Sequence, residues 1–114
     1  MRLMSFPLRT AACFCFVSTQ FLSAHAAESV TGKVTQVGTF GNGRVFVQLN
    51  VQINEPGCIS SRFDVASTHP QAKNWLALAI AASISGRNVV VHANGCYGGF
   101  PTLPENSDGW FYIE

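Results

Sequence analysis

Charge is scarce in this sequence. Aspartate, glutamate, lysine and arginine make up 11% of its 114 residues, under half the share of an average soluble domain. The formal net charge of +1 excludes both the basic field that grips nucleic acid and an acidic tail. There is no CxxC pair for redox work and no apolar run of the roughly 20 residues that a membrane span requires. The glycine-rich stretch 38–43 lacks the Lys-Ser/Thr of a phosphate-binding loop and precedes a strand, not a helix. No internal repeat or low-complexity segment appears, and the length allows one domain.

Hydrophobic residues, by contrast, make up 47% of the chain, and much of the excess lies at the front. Residues 1–26 read as a secretory signal. Arg2 and Arg9 supply the positive region, Ala11 to Leu22 an apolar core broken by Ser18, Thr19 and Gln20, and Ala24-His25-Ala26 the small residues of a cleavage site. Ala27, where a lipoprotein would need Cys, follows. The expected product is a single domain over 27–114, periplasmic or secreted. It carries Lys33, Arg44, Arg62, Lys73 and Arg87 against Glu28, Glu55, Asp64, Glu105, Asp108 and Glu114. Cys13 and Cys15 leave with the signal, and Cys58 and Cys96 remain. One pair in an exported chain reads as a disulfide. The loop it closes is credited with roughly 4 kcal/mol by the chain-entropy model. Two cysteines without clustered histidine are too few for a metal site, and no cofactor is expected.

Along the expected domain, Val- and Thr-rich 29–37 reads as a first strand, with Gly32 marking a bend or bulge. Asn42-Gly43 signals a hairpin. In 44–53, Val45, Val47, Leu49, Val51 and Ile53 alternate with Phe46, Gln48, Asn50 and Gln52, so one face is buried and the other wetter. A short third strand spans 62–66, with Phe63 and Val65 inward. Thr68 to Gln71 fits a capping box opening a helix over 70–85, with Gly86 as its stop. On that helix Leu78, Trp75, Ala79, Ala72, Leu76 and Ile80 cover an apolar arc of about 200°. Lys73, Ala77, Ala81, Asn74 and Ser85 form a small, mildly polar remainder, suited to water or to the close approach of another helix. Residues 88–93 read as a fourth strand, 94–108 as a long loop and 109–114 as a fifth strand. The fold class is therefore β-rich α+β. A five-stranded antiparallel barrel with one helix between strands three and four, the OB-fold order, is favoured over an open sheet with the helix on one face.

The stretch RFDVASTHPQAKNWLALAIAASISGRNVVVHANGC, with FGNGRVFVQLN before it, resembles the small secreted B subunits of pentameric bacterial toxins, those of subtilase cytotoxin above all. The shared pattern is an FV-type second strand, a Cys before strand three, a helix closed by Ser-Gly-basic, and a valine strand. It covers roughly residues 30–96. The resemblance implies an OB-fold, a Cys58–Cys96 disulfide, homo-pentamers with helices lining a central pore, and glycan binding. The face of Lys73, Ala77 and Ala81 would suit the pore. The chain departs from that pattern in lacking a longer C-terminal extension with further cysteines.

Catalysis finds little support in the residues. His69 stands at the helix start and His92 alternates with inward Val89 and Val91, so capping and surface roles are expected. Asp64, Glu105 and Asp108 are scattered rather than paired across a cleft. Single-stranded nucleic acid needs aromatics interleaved with basic residues; Phe46 and Tyr112 fit a strand surface, but the five basic residues of 27–114 form no cluster in the sequence. Sugars stack on aromatic faces and need amide and hydroxyl partners. Tyr97, Phe100, Asn106, Ser107 and Asp108, with Trp110 and Tyr112 close by, supply that set; the competing reading has Trp110 and Phe100 capping the barrel end. The expectation is a non-catalytic exported binding module that recognises a glycan or protein through loop 97–108 and the nearby strand aromatics. The alternative is a structural or inhibitory exported protein that binds another protein.

Overall fold

A computed structural model describes residues 28–114. The expected signal segment 1–26 lies outside the described residues. β1 (Val30–Thr39), β2 (Val45–Ile53), β3 (Ser60–Val65), β4 (Asn88–His92) and β7 (Trp110–Ile113) form one antiparallel sheet, and α1 (Ala72–Ser85) lies between β3 and β4 in the chain. The sheet order is β3-β2-β1-β4-β7. β5 (Cys96–Tyr97) and β6 (Phe100–Pro101) make a separate two-stranded hairpin. The described domain is thus β-rich with a five-stranded antiparallel sheet and one helix, an arrangement compatible with a small barrel.

β1 sits at the centre and serves two partners. Its first half, Val30 to Lys33, pairs with β4, and its second half, from Val34 onward, pairs with β2. The irregularity expected at Gly32 falls instead between Val34 and Gln36. Gly32 has another purpose. A Cβ there would come within 2.7 Å of Asn50 Oδ1 and Val51 Cγ2, so the crossing of β1 over the end of β2 requires glycine. The β1–β2 turn also differs in detail from the two-residue form that Asn42-Gly43 suggests. Phe40 N donates to Arg44 O and Gly43 N to Phe40 O, and Gly43 has φ +88°. That is a three-residue loop with glycine in the left-handed position.

The alternation read in β2 holds at Val45, Val47, Leu49 and Ile53, all buried. With Phe63, Val65, Val89, Val91, Ala93, Leu103 and Phe111 they form one core. Phe63 and Phe111 meet edge-on at 5.1 Å between ring centres, which joins the two ends of the sheet through its interior. α1 packs against β1, β2 and β7 and adds buried Ala72, Ala79 and Ala82, with Trp75, Leu76 and Leu78 partly covered.

The helix ends depart from expectation. The Thr68–Gln71 capping box does not form; the helix begins at Ala72 and no side chain of the N-cap residue Gln71 caps it. His69 takes the task. Its Nδ1 accepts from Gln71 N at 3.0 Å, which leaves Nε2 as the donor to Pro104 O at 3.0 Å. The ring thereby fastens the helix start to the chain before β7. At the other end Gly86 adopts the left-handed cap at φ 72° as expected. Lys33 Nζ donates to Gly86 O and to Asn88 Oδ1, both at 2.9 Å, a cation placed where the helix dipole is negative. Ile80, assigned to the inward arc, is exposed, and so is Ile84.

Cys58 and Cys96 are joined by a disulfide across 38 residues. It ties the β2–β3 connection to β5. Glu55, buried in the same connection, accepts from Gly95 N at 2.9 Å through its carboxylate.

Candidate functional site

The loop expected over 94–108 is partly ordered as the β5–β6 hairpin. Gly98 and Gly99 turn it with φ +61° and +89°, the pair of positive angles of a two-residue type I′ turn. Gly-Gly between Tyr97 and Phe100 is itself a sequence signal for such a turn, hidden here by the glycines, prolines and polar residues around it. Tyr97 and Phe100 are register partners on this hairpin.

They lie against two arginines. Asp64 follows inward Phe63 on β3 and its side chain has no solvent exposure. Arg44 Nε donates to its Oδ2 at 2.6 Å; Arg62 donates through Nε to Oδ1 and through Nη2 to Oδ2, both at 2.7 Å. The Arg62 guanidinium lies 3.9 Å from the Phe100 ring centre, 5.0 Å from Phe46 and 5.3 Å from Phe40. The Arg44 guanidinium lies 4.7 Å from the Tyr97 ring and 5.6 Å from Phe40. Arginine faces stacked on aromatic rings are attractive contacts. Arg44 also rests on Gly98, where a Cβ would collide with the guanidinium. Thr102 Oγ1 donates to Asp64 O at 2.6 Å. The hairpin is thus pinned to β3, and the outer side of that strand is covered. The raised pKa of Arg62 has its chief cause in the hydrogen bond to Asp64, opposed by partial burial and helped by the charge of the same carboxylate.

Trp110 and Tyr112 occupy a different place. They point outward from β7, 41% and 48% exposed. In register, Trp110 faces His92 and Tyr112 faces Val90. The His92 and Trp110 rings are stacked at 4.2 Å with only 12° between their planes. His92 Nδ1 is 3.5 Å from Ser29 Oγ. The indole is therefore held in a fixed orientation while much of it remains open to solvent.

Asn106, Ser107 and Asp108 are exposed. Asn106 Oδ1 accepts from Asp108 N at 2.8 Å, a local Asx-type turn. The single loop-centred site expected from the sequence thus resolves into three parts: Tyr97 and Phe100 on the arginines, the 106–108 turn, and Trp110 with Tyr112 on β7. Among the described residues no ring contact or hydrogen bond joins the first part to the third. Nothing in the sequence pattern marks Arg44, Arg62 or Phe40 as site residues, and it gives His92 only a surface role. A net charge near neutral conceals two arginines brought together by adjacent strands.

Lys73, Ala77 and Ala81 are exposed on α1, as expected of a face left for water or a neighbour. Ile80 and Ile84 extend it, Ile84 being 82% exposed. Among the described residues no helix is long and apolar enough to cross a membrane, and no group of three or more metal-ligating side chains gathers. The described surface opens no pocket, so the aromatic sites are open faces. Fold and site together define a small disulfide-linked β-rich domain with an exposed aromatic face. No family model, curated protein or solved structure matches this chain.

Proposed function

We propose that residues 27–114 act, after export and removal of the first 26 residues, as a non-catalytic OB-like module that binds a glycan on the outer face of β7. The observation that carries this reading is Trp110, exposed yet oriented by the stacked His92, with exposed Tyr112 two residues on along the same face. A preset aromatic plane offers a sugar ring its apolar side at little ordering cost. The Tyr112 hydroxyl and the His92 ring provide donors and acceptors for sugar hydroxyls. The strand order, with β1 shared between β2 and β4 and a helix between β3 and β4, supports the OB-like assignment. The same reading takes the strip Lys73, Ala77, Ile80, Ala81 and Ile84 on α1 as the seam of a homo-oligomer, in which alanines admit a neighbouring helix and isoleucines fill the gap.

The test is saturation-transfer NMR against a panel of neutral and acidic oligosaccharides. Binding is expected with contacts mapped to Trp110. Trp110→Ala is expected to weaken it at least 10-fold with the circular dichroism spectrum unchanged. Silence across the panel, or binding indifferent to Trp110→Ala, overturns the glycan reading.

A further inference from the structure

We propose that Arg44 and Arg62 form a second binding site, for the carboxylates of an acidic peptide segment on a partner protein. The site is separate from the β7 face and does not rest on the glycan reading.

Two guanidinium groups share the one carboxylate of Asp64, so the cluster carries one uncompensated positive charge. A single arginine would neutralise Asp64; the second exceeds what that carboxylate needs. Elsewhere on the described domain, Lys33 is engaged by the end of α1 and Arg87 donates to Glu114 O. Arg44 and Arg62 are two cations brought onto one carboxylate.

Hydrogen-bonding capacity points the same way. A guanidinium has five N–H groups. Arg62 uses two on Asp64; Arg44 uses one on Asp64 and one on Tyr97 O. Each keeps three with no further partner among the described residues. Both side chains are 20% exposed, so the cluster is partly open to solvent. They are also held in place by the rings of Phe40, Phe46, Tyr97 and Phe100, which lowers the ordering cost of binding. Charge-assisted forks of this kind are the strong form of carboxylate recognition.

The chemistry selects a peptide over a sugar. Both Asp64 oxygens are spent on the arginines, so apart from the Tyr97 hydroxyl the side chains present donors and apolar ring surface. Sugar hydroxyls need acceptors as well as donors. A carboxylate only accepts, and Phe40, 45% exposed beside the arginines, suits the apolar side chain next to it. Arginine and aromatic anchors set together are also the composition of protein–protein hot spots.

The experiment is an NMR titration of the full oxidised domain with a blocked peptide of alternating glutamate and phenylalanine, following the Arg44 and Arg62 Nε–H signals and the Gly98 amide. Saturable shifts at all three are expected, weakening about 10-fold from low to high salt and absent with the glutamine version of the peptide. Arg62→Lys keeps the charge, loses the fork, and is expected to weaken binding several-fold. Unmoved arginine signals, equal shifts with the glutamine peptide, or shifts given only by an acidic oligosaccharide overturn the proposal. The Trp110 indole signal reports the other face in the same spectra, so failure at one site is read apart from failure at the other.

Discussion

Replacing Asp64 by asparagine puts the arginine cluster to the hardest test. The side chain keeps its shape, but the charge that three donors address at 2.6–2.7 Å is gone, and an amide N–H₂ faces a guanidinium. Breaking a fully buried ion pair by removing one partner costs about 3–5 kcal/mol. Here the carboxylate is fully buried but each arginine is one-fifth exposed, so water screens part of the loss, and the asparagine oxygen still accepts one bond. The expected cost is about 2–4 kcal/mol, against a total stability of about 5–15 kcal/mol for a small domain. The melting temperature should fall by roughly 10–25 °C. Urea unfolding of the oxidised protein, followed by circular dichroism, measures it, and amide exchange at 97–100 should speed up as the hairpin loosens. A cost below about 0.5 kcal/mol, the level of an ordinary surface change such as Asp108→Asn, would refute the reasoning. Arg62 itself should leave no mark on the pH dependence. A cation with a raised pKa stabilises fully below its unfolded value and ceases to do so only as pH climbs through the folded one. Between about pH 5 and 10 its contribution is therefore flat.

Gly32→Ala should destabilise by about 1–3 kcal/mol, because the added methyl meets Asn50 and Val51 at 2.7 Å; wild-type stability in urea would contradict the account of the β1 crossing. Opening the Cys58–Cys96 bridge by Cys58→Ser with Cys96→Ser should cost about 4 kcal/mol on the chain-entropy estimate for a 38-residue separation, and an unchanged midpoint would remove the bridge from the stability argument. Ala77→Glu on the exposed helix strip should reduce the mass seen by light scattering without changing the monomer's unfolding midpoint. A lower midpoint would instead place Ala77 in the monomer core.

The strands and the helix were legible because their signals are local. The alternation of β2, the glycine stop at Gly86 and the valines of β4 each declare themselves within a few residues. The helix start was not, since His69 draws its second partner from Pro104, a residue in the chain before β7. The site was legible in composition but not in grouping. Tyr97, Phe100, Trp110 and Tyr112 are neighbours in sequence, yet the hairpin turns the first two toward β3 while strand alternation sends the others outward from β7. Asp64 was the hardest to read. By alternation it belongs on the wet side of β3, and only the hairpin covering that side makes it buried.

The divided pairing of β1 also bears on how the chain assembles. β1 to β3 form one run of neighbouring strands and β4 with β7 another, each closing over modest stretches of chain. Among the strand pairings of the described residues, only Val30 to Lys33 against Val91 to Asn88 stitches the two runs together. Such a distant pairing pays its loop-closure entropy before it gains contacts, so it is expected to set the pace of folding. Mutations along this stitch should slow folding more than those at the β1–β2 turn. Until it closes, Cys58 and Cys96 sit on different runs, and oxidation that precedes it should hasten folding by shortening the loop left to close.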